Sequence, residues 1–247
     1  MGAGQLVKPK VIAIIQARLT SKRLPGKVLL PLPFADGMPI ISNIIEKLRR
    51  SNFIEKIIVA TSNTKEQIKL VDFLKQSNQD YFAGDENDVL SRFRAIALRE
   101  LPVCIVRITS DNPFIDIPIL DDVIETHLKS HFDYTNTIGL PYGMNIEVFS
   151  GDSFLEMSGR VDLSDEDKEH VTYKYKHCNR YKIQSLRPLK ELDYSFLRVT
   201  IDTREDYMRA ALIYSDPNYS KIHGADLQNV LLFYEKFKFL FDQKSEA

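Results

Sequence analysis

Apolar runs of strand length alternate with amphipathic stretches through the first half of the chain. The runs Val11–Gln16, Lys56–Ala60 and Val103–Ile108 are almost continuously apolar, which is typical of strands covered on both faces of a sheet. A shorter strand is predicted at Asp80–Ala83. Apolar residues at helical spacing predict the helices Ile40–Arg50 (with Pro39 at its first position), Lys65–Gln76, Asn87–Glu100 and Pro118 to about Lys129. This alternation indicates right-handed βαβ units and a mostly parallel sheet.

The second half of the chain has shorter segments from Asp133 onwards. Its predicted strands are Tyr134–Thr137, Asn145–Phe149, Tyr181–Leu186 and Leu197–Val199. Its predicted helices are Gly151–Met157, Ser164–Tyr175, Arg204–Tyr214 and Ala225–Phe241. We interpret residues 138–195 as a β-rich arm, part of which reaches away from the main sheet and is a candidate dimer contact.

The pattern predicts one α/β domain with a short segment at each end. Residues 1–9 are expected to form a flexible tail, residues 10–223 the domain and residues 224–247 a C-terminal helix. The length of 247 residues is enough to bury a sizeable core. Ligands of such sheets bind beyond the carboxyl ends of the strands. The site is therefore expected on the loops Arg18–Lys27, Thr61–Thr64 and Thr109–Asp116.

Composition and charge exclude several classes of protein. The 33 Lys and Arg residues against 34 Asp and Glu residues give a net charge of −1, which argues against a sequence-independent nucleic-acid binder. No apolar run approaches the roughly 18 residues of a membrane span, so no membrane partner is expected. No secretory signal is recognisable. Cys104 and Cys178 lack metal-binding spacing and are expected to be reduced thiols of a cytoplasmic protein.

The loop after the first strand concentrates positive charge. Between Ala17 and Lys27 it carries four cations, a hydroxyl pair and a Pro-Gly turn. Fixed cations and backbone N–H groups at a strand end suit a triphosphate, and Gly26 lets the backbone approach it closely. The G-x-x-x-x-G-K-[ST] motif of P-loops is absent. A solvated basic loop is the alternative interpretation.

Two further strands are each predicted to end in an aspartate. Asp111 follows the third long apolar run within a Ser-Asp-Asn-Pro turn, and Asp202 follows the short strand Leu197–Val199. Because Mg²⁺ prefers one or two carboxylates together with phosphate oxygens and waters, both are candidate metal ligands. Alternatively, Asp111 belongs to an ordinary turn before a helix, and Asp202 caps the next helix with Thr203.

Five motifs in order resemble those of the cytidylyltransferases that activate acidic sugars, such as the CMP-acylneuraminate and CMP-Kdo synthetases. Q-A-R-x-x-S-x-R-L-P-G-K, which ends at Lys27, looks most like the branch called spore coat polysaccharide biosynthesis protein F. The others are the turn around Asp111, G-x-x-x-D-V-L-x-R-F from Gly84, E-H-V-T from Glu169 and I-D-T-x-x-D from Ile201. The resemblance runs from Val11 to about Tyr207 and covers most of the chain.

The resemblance implies a Rossmann-like, three-layer nucleotidyltransferase fold of the nucleotide-diphospho-sugar transferase type. It also implies that Asp111 and Asp202 hold a catalytic Mg²⁺. Together with the loop chemistry, it predicts catalytic roles for Arg18, Lys27 and Asp111. The expected nucleotide-binding residues are Ala17, Arg18, Ser21, Lys22, Arg23, Lys27, Thr61 and Asp88. The expected acceptor-binding residues are Arg107, Asn112, Glu147, His170 and Arg198.

The acceptor residues are predicted from charges placed among apolar neighbours. Glu147 lies in such a segment, where a carboxylate is costly unless it has a partner. Arg107 and Arg198 each precede a candidate metal aspartate and suit an anionic acceptor. The alternatives are a paired core Glu147, a His170 on a helix surface, and arginines that pair only with Glu147 or Asp206.

These features predict a Mg²⁺-dependent cytidylyltransferase. It would transfer CMP from CTP to a sugar acid, releasing pyrophosphate, for surface polysaccharide or glycoconjugate biosynthesis. CTP and a homodimer are implied by the resemblance. The alternatives are another nucleoside triphosphate with a sugar phosphate, a non-catalytic nucleotide-binding module, or a glycosyltransferase of the same fold.

Overall fold

The computed structural model describes residues 9–216 and 227–241. Its strands are β1 (Val11–Gln16), β2 (Pro31–Leu32), β3 (Met38–Pro39), β4 (Ile54–Ser62), β5 (Tyr81–Gly84), β6 (Cys104–Thr109), β7 (Tyr134–Thr137), β8 (Glu147–Ser150) and β9 (Ile183–Leu186). Its α-helices are α1 (Ile40–Leu48), α2 (Ile68–Gln76), α3 (Val89–Glu100), α4 (Ile117–Lys129), α5 (Gly151–Ser158), α6 (Asp165–His170), α7 (Tyr173–His177), α8 (Arg204–Ser215) and α9 (Leu227–Lys236). Short 3₁₀ turns lie at Lys27–Leu29, Lys65–Gln67 and Lys238–Leu240.

A seven-stranded sheet in the order β5-β4-β1-β6-β8-β7-β9 forms the centre of the fold. β1 pairs in parallel with β4 and β6, and β4 pairs in parallel with β5. β8 runs antiparallel to both of its neighbours, while β9 is parallel to β7. The predicted α/β fold with a mostly parallel sheet is therefore confirmed. β2 and β3 form a separate small hairpin.

Both faces of β1 are buried, as its continuous apolar sequence predicts. Val11, Ala13 and Ile15 pack in one core with α1, α4 and α8. Ile12 and Ile14 pack in a second core with α3 and α5. Helices therefore cover the sheet on both sides in three layers, and they fix the strands that carry the site. Within the described part of the chain, every helix is too short or too polar to cross a membrane.

Several element boundaries differ from the predicted ones because of local capping. Pro39 is the N-cap of α1 and precedes its first helical residue. α3 begins at Val89, because the Asp88 side chain accepts a hydrogen bond from the Ser91 N–H and so caps the helix. A 3₁₀ turn at Lys65–Gln67 replaces the first turn of the helix predicted from Lys65.

Two features of the second half of the chain differ from the pattern predicted for it. Its strands β8 and β9 belong to the main sheet, because β8 pairs with β6 and with β7, and β7 pairs with β9. These two strands therefore do not reach away from the sheet, and the prediction that another part of the segment 138–195 does so stays a prediction. The segment Leu197–Val199 is not a strand, since a single bridge joins Arg198 to Tyr142. The dimer contact stays a prediction.

Two predicted helices are shorter in the structure. The helix predicted at Ser164–Tyr175 is divided into α6 and α7 at Val171, whose φ of 55° lies in the left-handed region. β-branched residues rarely adopt this conformation. The C-terminal helix ends at Lys236 and is followed by a 3₁₀ turn. The predicted domain boundary at 223 and all but residue 9 of the predicted tail lie outside the described residues.

Candidate active site

A cavity of about 350 Å³ opens at the carboxyl ends of β1 and β6. Its lining consists of Gln16, Arg18, Ser21, Lys22, Arg23, Lys27, Thr109, Ser110, Asp111 and Asp202. The cationic loop and both aspartate corners therefore meet at one place, as the sequence predicts. This is also the sheet edge at which ligands of such folds bind.

Main-chain hydrogen bonds anchor the start of the cationic loop to β4 and join its two ends. The Ala17 N–H donates to the Ala60 carbonyl of β4 (3.0 Å), and the Gly26 N–H donates to the Leu19 carbonyl (2.9 Å). Gly26 has a φ of 72°, which glycine adopts without steric cost. The turn directs the buried Lys27 into the protein, while the side chains of Lys22 and Arg23 stay exposed.

Gln67 anchors this loop, a role that the sequence does not reveal. Its fully buried side chain accepts a hydrogen bond from the Leu19 N–H (2.8 Å), and its amide nitrogen lies 3.5 Å from Thr20 Oγ1. Thr20 donates in turn to Glu86, on the loop after β5 (3.2 Å). Loops from three neighbouring strands are thereby tied together. A glutamine near a helix start carries no sequence signal for such a contact.

The Lys27 ammonium group lies between the two candidate metal ligands. Its Nζ is 3.2 Å from Asp111 Oδ2, 3.1 Å from Asp202 Oδ1 and 2.6 Å from the Ile201 carbonyl oxygen. Each of its three N–H groups thus has an acceptor, and the side chain is only 8% exposed. The ammonium offsets the repulsion between two carboxylates that are far apart in the sequence.

Backbone contacts fix the positions of both aspartates. The Ile201 N–H donates to the Asp111 carbonyl (2.8 Å), which joins the two corners directly. Thr203, not Asp202, is the N-cap of α8, and it forms a capping box with Asp206. The Asp202 carboxylate is therefore left to face the cavity. There it also pairs with Arg23 (3.0 Å) and with Arg198.

The donor set at this position fits Mg²⁺ bound together with a nucleotide. Asp111 and Asp202 reach the same nitrogen, so their oxygens are close enough to approach one ion. The described residues contain no group of three or more His, Cys, Asp and Glu side chains that could hold a metal. A cage made only of protein ligands is thus not formed by this part of the chain. Mg²⁺ commonly takes one or two carboxylates and completes its shell with phosphate oxygens and water.

Arg18 and Lys22 are the cations that face the cavity without an ion pair among the described residues. Lys27 and Arg23 are already paired with the aspartates. The positive charge available for a triphosphate therefore comes first from Arg18 and Lys22. This geometry favours the triphosphate interpretation of the loop over a purely solvated one. A solvated basic loop does not require a cavity, whereas these cations line one together with Asp111 and Asp202.

Thr61 and Asp88 lie outside the cavity lining, on the β4 and α3 side of the site. The Asp88 carboxylate caps α3, and Thr61 Oγ1 is buried without a partner. Arg92, from the D-V-L-x-R-F motif, is buried there too, and its Nε also has no partner. Burial lowers the pKa of Arg92, and the nearby Arg18 acts in the same direction. Sequence reasoning missed Arg92, although its motif was recognised.

Glu147 is the centre of a buried polar network on the β8 side. Its Oε2 accepts from Arg107 (2.5 Å). Its Oε1 accepts from Tyr134 (2.5 Å), Thr172 (3.0 Å) and Lys176 (2.8 Å). Burial alone would raise the pKa of Glu147, but Arg107 and Lys176 outweigh burial and lower it to about 2. The carboxylate is therefore ionised and fully paired, so it is unsuited to act as a general base.

The other predicted acceptor residues occupy different positions. His170 is exposed on α6, and its neighbour Thr172, rather than His170 itself, contacts Glu147. The Asn112 amide donates to Thr109 Oγ1 (2.8 Å), and its Oδ1 is buried without a partner. Arg198 lies over the Tyr142 ring, 4.9 Å from its centroid, and pairs with Asp202. The residue of the E-H-V-T motif that contacts Glu147 is thus Thr172, which follows the turn at Val171.

Replacing Glu147 with glutamine is expected to destabilise the fold by about 3 kcal/mol at pH 7, because Arg107 loses its buried partner. The pKa of Glu147 lies below its ordinary value of 4.5. Its contribution is therefore complete above about pH 4.5 and is lost as the pH falls towards 2. Urea unfolding at pH 7 and pH 3 should show a smaller difference between wild type and variant at pH 3.

The matched control for this measurement is Glu125→Gln. Glu125 pairs with Lys129 on the exposed surface of α4, and such pairs contribute little to stability. Its effect should stay below about 0.5 kcal/mol at both pH values. An equal effect of the two substitutions would contradict the assignment of Glu147 to a paired, ionised network.

The chain matches the family model described as cytidylyltransferase over residues 12–239. It is 35% identical over 210 residues to the spore coat polysaccharide biosynthesis protein SpsF of Bacillus subtilis, covering 83% of this chain and 86% of that protein. The predicted resemblance to this family and branch is confirmed.

Two solved structures superpose on most of this chain. A cytidylyltransferase from Leptospira borgpetersenii serovar Hardjo-bovis superposes with a TM-score of 0.83 at 27% identity, over 97% of this chain and 99% of that chain. A CMP:2-keto-3-deoxy-manno-octonic acid synthetase, solved with CTP, has a TM-score of 0.63 at 13% identity, over 83% of this chain and 98% of the other. The second likeness concerns the fold alone, and the predicted nucleotidyltransferase fold is confirmed.

Proposed function

Because the chain belongs to the cytidylyltransferase family, we propose that it transfers CMP from CTP to a sugar acid and releases pyrophosphate. The product would be an activated sugar for a surface polysaccharide or glycoconjugate. One observation carries the proposal, namely the cavity in which a cationic loop faces Asp111 and Asp202. Fixed cations and carboxylates together suit a triphosphate and its divalent metal.

In the proposed reaction, a hydroxyl oxygen of the acceptor attacks the α-phosphorus of CTP in line with the bond to the β-phosphate. A phosphorus–oxygen bond forms and the α–β phosphoanhydride bond breaks. Pyrophosphate leaves with the electron pair of that bond, and the hydroxyl proton passes to solvent. The protein positions both substrates and neutralises the charge of the leaving group. Arg18 and Lys22, which have no ion pair in the described structure, would contact the β- and γ-phosphates.

Asp111 and Asp202 are the residues that would hold Mg²⁺, which polarises the α-phosphate when it is bound. Lys27 would then be released from the two carboxylates to contact the leaving phosphates. Lys27 therefore has two proposed roles. It holds the carboxylates together before the nucleotide binds, and it neutralises the leaving pyrophosphate during transfer.

We place the acceptor on the β6 and β8 side of the cavity, near Arg107, Asn112, Glu147, His170 and Arg198. The support is a surplus of positive charge, because Arg107 and Lys176 share a single carboxylate, that of Glu147. An anionic sugar, of the nonulosonic-acid type, is the acceptor we propose. We further propose that the protein acts in the cytoplasm, where CTP is available, and as a homodimer with residues 138–195 as its contact.

Pyrophosphate release tests this function directly. The purified protein with Mg²⁺ is mixed with CTP, UTP, GTP or dTTP and with an acceptor panel of N-acetylneuraminate, 3-deoxy-manno-octulosonate, other nonulosonic acids and neutral sugar phosphates. We expect release to be fastest with CTP and one of the acids. Removing the metal with EDTA should abolish it, and adding Mg²⁺ back should restore it.

Other outcomes of this screen separate the alternatives. A preference for another nucleotide with a sugar phosphate would keep the nucleotidyltransferase reaction and contradict the choice of CTP and an acid. Nucleotide binding without release, for any acceptor, would favour a non-catalytic module. Transfer of sugar from a nucleotide-sugar to a second acceptor, without release of pyrophosphate, would favour a glycosyltransferase.

A further inference from the structure

We propose that the side-chain amide of Gln16 donates hydrogen bonds to the acceptor sugar and helps to decide which acceptors bind, and that Arg107 and Glu147 act as positioning residues that aim this amide. The inference rests on the proposed transfer to a sugar. It adds Gln16, which is not among the residues predicted from the sequence to bind a substrate.

The chemistry of Arg107 fixes the orientation of the Gln16 amide. Gln16 Oε1 lies 3.2 Å from Arg107 Nη2. A guanidinium group only donates hydrogen bonds, so the atom that faces it must be the amide oxygen and not the amide nitrogen. The Nε2 group, with its two N–H donors, therefore points away from Arg107. No described group accepts a hydrogen bond from it, and Gln16 lines the cavity.

Glu147 keeps the guanidinium of Arg107 in place. The pair Arg107–Glu147 joins directly opposite residues of β6 and β8, with Nη1 and Oε2 2.5 Å apart. Glu147 is itself held by Tyr134, Thr172 and Lys176. A rigid chain of contacts thus runs across three adjacent strands, from β8 through β6 to Gln16 at the end of β1. A preorganised donor of this kind loses little entropy when a ligand binds.

The direction of the Gln16 side chain points to the acceptor and not to the nucleotide. The main chain at Gln16 lies in the parallel ladder with β4, where the Ala17 N–H donates to the Ala60 carbonyl. The Gln16 side chain is instead drawn towards β6 by Arg107. The amide is therefore held on the β6 side of β1, while β4 with Thr61 lies on the other side of β1. Two N–H donors beside a net positive network suit the carboxylate or hydroxyl oxygens of an acidic sugar.

Steady-state kinetics with the best acid from the pyrophosphate screen tests this inference, with CTP affinity measured separately by calorimetry. Gln16→Met, which keeps the size of the side chain but removes the donors, should raise the acceptor KM about tenfold, the effect of one lost hydrogen bond to a charged group. The Kd for CTP should stay within about twofold of the wild-type value. Gln16→Glu should weaken an anionic acceptor further, because it places a negative charge where the donors were.

The role of Arg107 is tested by comparing the effect of Arg107→Lys on the acceptor KM in the wild-type protein and in the Gln16→Met variant. Arg107→Lys keeps the charge but cannot span both partners, so it should also raise the acceptor KM. In the Gln16→Met background it should have almost no further effect, because it acts through the amide. A merely structural role would give additive effects. Gln76→Met, an exposed glutamine at the end of α2, is the matched control and should change neither constant.

Two results would overturn the inference. A rise in the Kd for CTP that parallels the rise in acceptor KM would place Gln16 in the nucleotide site. An unchanged acceptor KM in both Gln16 variants, with folding verified by thermal melting, would leave it without a role in recognition. The proposed function fails in a different way, since it is refuted when the wild-type protein itself transfers CMP to none of the acceptors.

Discussion

Replacing Asp111 with asparagine is expected to lower the turnover of CTP by roughly a hundredfold or more, with the fold unchanged. A loss of this size is typical when a main electrostatic stabiliser of the transition state is removed. Asparagine keeps the shape of the side chain, and the main-chain bond from the Ile201 N–H to the Asp111 carbonyl does not depend on the carboxylate. Lys27 retains two of its acceptors, Asp202 and the Ile201 carbonyl.

Asp202→Asn should produce a loss of similar size, since both carboxylates approach the same position. The measurement is pyrophosphate release at several Mg²⁺ concentrations, with thermal melting as the check on folding. Asp122→Asn, an exposed aspartate of α4, is the matched control and should leave the rate unchanged. A near wild-type rate in either Asp111→Asn or Asp202→Asn would refute the shared metal site.

Lys27→Ala is expected to lower kcat/KM for CTP by about two orders of magnitude. The lost charge-assisted contact to the phosphates accounts for roughly 3 kcal/mol, which corresponds to this factor. The structure adds a second cause, because the substitution leaves Asp111 and Asp202 close together without the cation between them. Their repulsion should displace both side chains and should also lower thermal stability.

Varying Mg²⁺ and CTP separates these two causes. High Mg²⁺ should restore the stability of Lys27→Ala, because the metal replaces the ammonium between the carboxylates, but it should not restore kcat/KM. Lys69→Ala, an exposed lysine of α2, is the control for the loss of one positive charge. If kcat/KM for CTP is the same in Lys27→Ala as in the wild type, the loop is better interpreted as a solvated basic surface.

The sheet is predictable because it follows from the hydrophobic periodicity of the sequence. The common position of the loops after β1 and β6 is predictable because these strands run in the same direction. Continuous apolar runs such as Val11–Ile15 are buried on both faces, and parallel strands present their carboxyl ends on one edge. The positions of Lys27 and Asp111 at one cavity follow from those two facts. Asp202 follows no strand in the structure, and the hydrogen bond from the Ile201 N–H to the Asp111 carbonyl brings it to the cavity. Five motifs found in order then identify the family, which no single motif does.

The details that decide specificity are set by contacts between residues far apart in the sequence. No local pattern indicates that Gln67 reaches the Leu19 N–H or that Gln16 accepts from Arg107. The strained turn at Val171, which brings Thr172 to Glu147, is equally invisible, because a Val within a helical pattern predicts that the helix continues. Burial of polar side chains depends on tertiary packing, which the periodicity of one segment does not contain.

The most direct test of the central claim is the stoichiometry of products from CTP and the preferred acid, measured by mass spectrometry together with pyrophosphate release. If the cavity transfers a cytidylyl group, one CMP-linked sugar forms for each pyrophosphate released, and Asp111→Asn lowers both in parallel. Pyrophosphate release accompanied by free CMP and no conjugate, or a conjugate carrying a different nucleotide, would contradict it.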